Sequence, residues 1–131
     1  HDVDNGGFAY APKFPLPVYQ HALLRLSVRH AREGRVQPAA EAAELAFHAL
    51  RSMAKGGIHD QLGGGFARYS TDERWHVPHF EKMLYDNAQL LLNYAEAWQL
   101  GRDPLFAETA RDIAAYVLRD LRAPEGAFYS A

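Results

Sequence analysis

At 131 residues, 48% hydrophobic and 23% charged, the chain has the size and composition of one globular domain rather than a disordered segment. Fourteen Lys and Arg against sixteen Asp and Glu leave a net charge of −2 with no basic stripe, which argues against nucleic acid as a partner. No cysteine is present, excluding disulfides, thiolate metal sites and cysteine nucleophiles within the chain, and no apolar run approaches the roughly 18 residues of a membrane span.

Residues 1–16 read as an irregular arm. Asn5-Gly6-Gly7-Phe8 is turn chemistry, and Pro12, Pro15 and Pro17 forbid regular helix around Lys13 and Phe14. The arm lacks the charge and apolar run of a signal peptide, and without an initiator Met the sequence is expected to be part of something longer. With the lack of cysteine, this leads us to expect a cytoplasmic protein. A first helix is predicted over about residues 17–33, with Pro17 in its first turn and Gly34 ending it. A second is predicted over about 38–55. Ala42, Leu45, Ala46, Ala49 and Met53 form one apolar face of it and Phe47, Leu50 and Ala54 another, the pattern of a helix buried on more than one side.

The next regular element begins only after a connector, Gly56 to Asp86, far longer than the about 2–8 residues that usually join helices. Gly65–Ser70 and Trp75–Val77 flank Thr71-Asp72-Glu73-Arg74 and read as a short β-hairpin. A third helix is expected over about 79–100. Phe80, Leu84, Asn87, Leu91, Tyr94 and Trp98 lie on one face, with Tyr85, Ala88, Leu92 and Ala95 on a second. This, too, reads as an interior helix. Asp103-Pro104 starts a fourth helix to about 121, with Phe106, Ala110, Ile113, Val117 and Leu121 inward and Glu108, Arg111, Asp112, Arg119 and Asp120 solvated.

Three tags punctuate the chain: Gly6-Gly7-Phe8, Gly64-Gly65-Phe66 and Gly126-Ala127-Phe128. Each interval between them holds two helices. A helix pair per period marks a helical-hairpin array, whose units cannot bury a core alone. The fold class expected is therefore all-α, about two hairpins of an (α/α) toroid. The apolar sides of its interior helices are expected to favour self-association.

The run Gly56-Gly57-Ile58-His59-Asp60-Gln61-Leu62-Gly63-Gly64-Gly65-Phe66, then Arg68-Tyr69-Ser70 and Asp72 through Asp86, resembles the spermatogenesis-associated protein 20 family of thioredoxin-domain proteins. The arm Ala11-Pro12-Lys13-Phe14-Pro15 and the closing Phe128-Tyr129-Ser130-Ala131 match as well. The resemblance implies an (α/α)6 toroid of the six-hairpin glycosidase and N-acylglucosamine 2-epimerase type, of which this chain is the opening part. It also implies a thioredoxin-like domain and the rest of the toroid as partners, both absent from this chain.

In such a toroid the connector lines the mouth. Its candidate acid and base groups are His59, Asp60, His76, His79, Glu81 and Asp86, since proton transfer to or from a sugar needs imidazole or carboxyl groups. Arg68, Tyr69, Trp75, Lys82 and Tyr85 are the candidate substrate-binding residues, Trp75 as a ring platform at the mouth. A buried Asp86 needs a partner, for which Arg68 and Lys13 are available. His76-x-x-His79 followed by Glu81 has metal-ligand spacing, but Pro78 breaks the helix turn that would carry both histidines. No metal and no cofactor is expected. Two functions remain open on these residues: a glycosidase- or epimerase-like domain binding a sugar-like small molecule, and a non-catalytic module serving a thioredoxin-like domain.

Overall fold

A computed structural model describes all 131 residues. Four helices form two hairpins: α1 (Pro17–Arg32) with α2 (Val36–Lys55), and α3 (Leu84–Gly101) with α4 (Pro104–Tyr116). A π-helical turn, Val117–Leu121, continues α4. The hairpins lie side by side, so α1 neighbours α3 and α2 neighbours α4, while α2 and α3 touch little. No helix is long and apolar enough to cross a membrane.

Local chemistry explains the helix ends. Pro17 and Pro104 sit at the first positions of α1 and α4, where a missing N–H is harmless. Asp103 caps α4 by accepting the Leu105 N–H at 3.0 Å. The second helix begins two residues before the expected Pro38, because proline is tolerated throughout a helix's first turn.

The core runs between the layers. Leu24, Ala46, Leu50, Met53, Leu90, Tyr94, Ala97, Phe106 and Ile113 are almost wholly buried, each large side chain contributing about 1.5–3 kcal/mol. The Tyr94 hydroxyl donates to the Leu50 carbonyl at 2.7 Å, which satisfies the one polar atom that ring carries into the core. Ile58, Phe66 and Trp75 of the connector are just as buried. The connector is therefore part of the core, not a loop laid over it.

Three expectations are corrected. The third helix starts at Leu84, not His79: the His79 N–H donates to the Tyr69 carbonyl at 2.9 Å and the Glu81 carbonyl accepts the Arg68 N–H at 2.8 Å. That pairing holds the backbone out of a helix and leaves Phe80, expected on its apolar face, 87% exposed. The β-hairpin shrinks to an isolated Ser70–Pro78 bridge within this antiparallel pairing, since the Val77 N–H that would continue the ladder donates instead to Asp72 Oδ2 at 2.6 Å. Finally, α2 is buried on both apolar faces, but the second stripe of α3 is not: Tyr85, Ala88 and Leu92 are exposed.

The glycine tags have a shared geometry. Gly6, Gly7, Gly64 and Gly65 all take positive φ, between 72° and 87°. The second glycine of each pair packs beneath an aromatic ring: a Cβ would lie 2.6 Å from Trp75 at Gly7 and 2.4 Å from Tyr116 at Gly65. Only glycine meets both demands.

Candidate functional site

The first part of the connector is fixed by charged and polar side chains at every turn. Asp60 closes the 60–65 turn by accepting the Leu62 and Gly63 N–H groups at 3.0 and 2.8 Å, and its other oxygen accepts from Lys82 Nζ at 2.7 Å. Lys82 also donates to the Gly64 carbonyl at 2.7 Å and lies 4.6 Å from the Tyr116 ring centroid. The Lys82 ammonium and these backbone donors hold the Asp60 carboxyl down at about 2.

His59 is locked at both ends. Nδ1 lies 3.0 Å from the Ala54 carbonyl and Nε2 lies 2.7 Å from Asp112 Oδ2, while the ring stacks on Phe66 at 4.7 Å. Neither nitrogen is free to meet a ligand. Asp112, expected on a solvated face, instead receives this imidazole and also the Gly65 N–H at 3.1 Å. It is the residue that sequence reading missed. The available signal was its stripe on α4, with Thr109 and Tyr116, both buried, one turn to either side.

A cavity of about 370 Å³ opens beside this turn, lined among others by Ile58, Asp60, Leu62, Pro78, Phe80 and Lys82. Leu62 is fully exposed and Phe80 nearly so. The wall is thus apolar on one side, with a polar edge of His59, Asp60, Gln61 and Lys82, the mixture usual in small-molecule sites.

Arg68 and Glu81 do not line that cavity. Their side chains pair with each other at 3.2 Å, and the Arg68 guanidinium is the charge that acts on Asp86. Asp86, in the first turn of α3, is only 8% exposed and accepts no hydrogen bond from the protein. Burial pushes its carboxyl up to about 6, with the Arg68 guanidinium pulling the other way. Its neighbour Asn87 is fully satisfied, accepting the Phe66 N–H at 2.8 Å and donating to the Phe66 carbonyl at 3.1 Å.

The side chains of the remaining candidates are engaged elsewhere or exposed. Trp75 is not a platform at a mouth: it is fully buried, donates Nε1–H to the Asn5 carbonyl at 3.1 Å, and sits at a φ of 62°. Lys13, offered as a partner for Asp86, instead binds Asp2 at 2.7 Å and the Glu73 carbonyl at 3.0 Å, with its Nζ 4.8 Å from the Trp75 ring. Burial alone would raise Asp2, but Lys13 and Asn5 hold its carboxyl well below the usual carboxylate range. His79 is exposed and stacks on Tyr69 at 4.7 Å, which in turn meets Phe14 at 4.9 Å. His76 is exposed, with its backbone N–H on Asp72. No three His, Asp or Glu side chains converge as a metal site would require.

The chain is 49% identical over its whole length to spermatogenesis-associated protein 20 of Homo sapiens, of which it spans 16%. The Mus musculus protein of that name is 48% identical, and an uncharacterised Caenorhabditis elegans protein is 38% identical over 96% of the chain. No family model matches. In structure, cellobiose 2-epimerase from Bacillus thermoamylovorans superposes with a TM-score of 0.73, covering 98% of this chain and 34% of its own, at 16% identity. At that identity the likeness is one of fold: two hairpins of an (α/α)6 toroid.

Proposed function

Because the chain belongs to the spermatogenesis-associated protein 20 family, and carries part of a glycosidase- and epimerase-like toroid, we propose that its connector forms the mouth of a sugar-binding site. The observation that carries this reading is the 370 Å³ cavity with an apolar wall and one polar edge. A hexose ring has the same division, with C–H faces for Phe80, Pro78 and Leu62 and hydroxyls for Asp60 and Lys82. Lys82 keeps one N–H beyond its two bonds, and Asp60 keeps one acceptor site, on Oδ2, beyond its three. An adjacent donor and acceptor suit a hydroxyl, which needs both.

A second reading is a non-catalytic binding module that accompanies a thioredoxin-like domain in the cytoplasm. One observation favours it: around the cavity His59 has no free nitrogen, and Asp60 is ion-paired at about 2, where it is a poor base at neutral pH. The two readings share the cavity and differ in whether chemistry follows binding.

Titration with cellobiose and glucose, followed by NMR shifts of this chain and by product analysis on a full-length family member, tests both. Sugar binding that Lys82→Met and Phe80→Ala each weaken about tenfold, roughly 1.4 kcal/mol, is the expected result. Binding without turnover selects the module. Binding that neither substitution changes rules out the cavity.

A further inference from the structure

Away from the cavity, Arg68, Glu81, Tyr85 and Asp86 lie together: Arg68 and Glu81 form an ion pair, and Asp86 beside them accepts no hydrogen bond from the protein. We propose that they form a second ligand subsite, in which the Asp86 carboxyl meets a hydroxyl of an uncharged polyol beside the Arg68–Glu81 pair. This subsite shares the ligand class of the sugar-binding reading but none of its residues.

The unusual member is Asp86. It stands third in α3, where a carboxylate ordinarily reaches back to the helix's free N–H groups. Here it accepts no hydrogen bond at all, and the Leu84 N–H is taken by the Ser130 carbonyl at 2.9 Å instead. The residue is only 8% exposed, yet its carboxyl oxygens stay within reach of solvent and unclaimed by the protein, so they are open to a ligand hydroxyl. Its neighbours add further contacts. Tyr85 is half exposed, a ring face for C–H contacts, while Arg68 and Glu81 leave over two-fifths of their side chains in solvent. Burial keeps much of the Asp86 population protonated near pH 6, so the same group can donate to a ligand oxygen or accept from a ligand hydroxyl.

The charges also limit the ligand. Arg68 is already neutralised by Glu81 at 3.2 Å, and Asp86 adds a further negative charge as pH rises. An anionic ligand such as a sugar phosphate finds no unpaired cation here. A neutral polyol meets one guanidinium, two carboxyls and a phenol.

Carboxyl NMR on the chain labelled with ¹³C at aspartate, with cellobiose as the probe, separates this subsite from the cavity. The Asp86 resonance is expected to move on saturation, and Asp86→Asn is expected to weaken the site about tenfold, the worth of one charge-assisted bond. Misfolding is controlled by the thermal melt, since Asp86→Asn keeps the side chain's shape. Movement of Asp60 alone overturns this subsite and leaves the cavity reading standing. Movement of Asp86 alone supports the subsite and removes the cavity, and silence at both overturns both. Tighter binding of glucose 6-phosphate than of glucose overturns the neutral-ligand assignment.

Discussion

At neutral pH the Asp86 carboxylate works against the fold that buries it. Its carboxyl stands at about 6 against an ordinary 3.8, so the folded state holds the proton more tightly than the unfolded chain does. For a carboxyl shifted upward, stability is highest below the unfolded value and falls as pH rises from about 4 through 6. Because solvent reaches its oxygens, the deficit above pH 7 is held to no more than about 2 kcal/mol. Asp86→Asn removes the charge but still buries an amide, so a gain of about 1–2 kcal/mol at pH 7.5 is expected, vanishing near pH 4. Melting the variant and parent at both pH values checks this, and an equal effect at both would remove burial of charge as its cause. Asp112 is the opposite case. It accepts from His59 and from Gly65, and Asp112→Ala leaves a buried imidazole and a backbone N–H unpaired. A loss of about 2–4 kcal/mol follows, measurable by urea denaturation, whereas a solvated surface residue would cost under about 0.5.

The connector behaves as an element in its own right because other elements bond to its backbone. Asn87 of α3 mimics a paired strand for Phe66, and Asp112 and Tyr116 of α4 hold Gly65 from the other side. Gly65→Ala asks an L-residue to take a φ of 76° with its Cβ inside the Tyr116 ring, so a loss of at least about 2 kcal/mol is expected. Gly126→Ala, at a φ of 96° with open space around it, carries only the backbone cost of about 1 kcal/mol, and comparing the two melts isolates the ring contact. The helices themselves were legible because apolar periodicity of 3.6 is a local signal, and the proline and glycine punctuation placed most ends within two residues. The start of α3 was not. Phe80 and Leu84 continue the helical spacing, yet residues 79–81 are committed to backbone bonds with Arg68 and Tyr69, a partnership no local pattern reports. Trp75 and Asp112 misled for the same reason, since burial by distant segments decides what an aromatic or an acid does. The candidates were named as one mouth, and the structure divides them: Asp60 and Lys82 on the cavity, Arg68, Glu81, Tyr85 and Asp86 beyond it.

Across the whole molecule, apolar side chains remain uncovered along one face. Val18 of α1 and Leu92 of α3 are 59% and 48% exposed and line one groove of about 240 Å³ between these helices, with Pro17, His21, Gln89 and Asn93. Leu26 and Leu100 are exposed by over two-fifths on the same two helices. This groove lies between the chain's own two hairpins, so the cover available to it is a second copy of the chain. Each of these residues, once covered, contributes about 1–2 kcal/mol, so three of them reach at most about 6 kcal/mol, enough only for weak pairing near millimolar concentration. Studied by itself, the chain is therefore expected to associate as concentration rises. Light scattering or sedimentation across a hundredfold dilution series measures this directly. The paired substitution Val18→Glu with Leu92→Glu places two like charges in the groove and should return the monomer without lowering the melting temperature, because neither side chain belongs to the buried core. A chain that stays monomeric at every concentration, or a double variant that associates as before, would show that this face needs no cover.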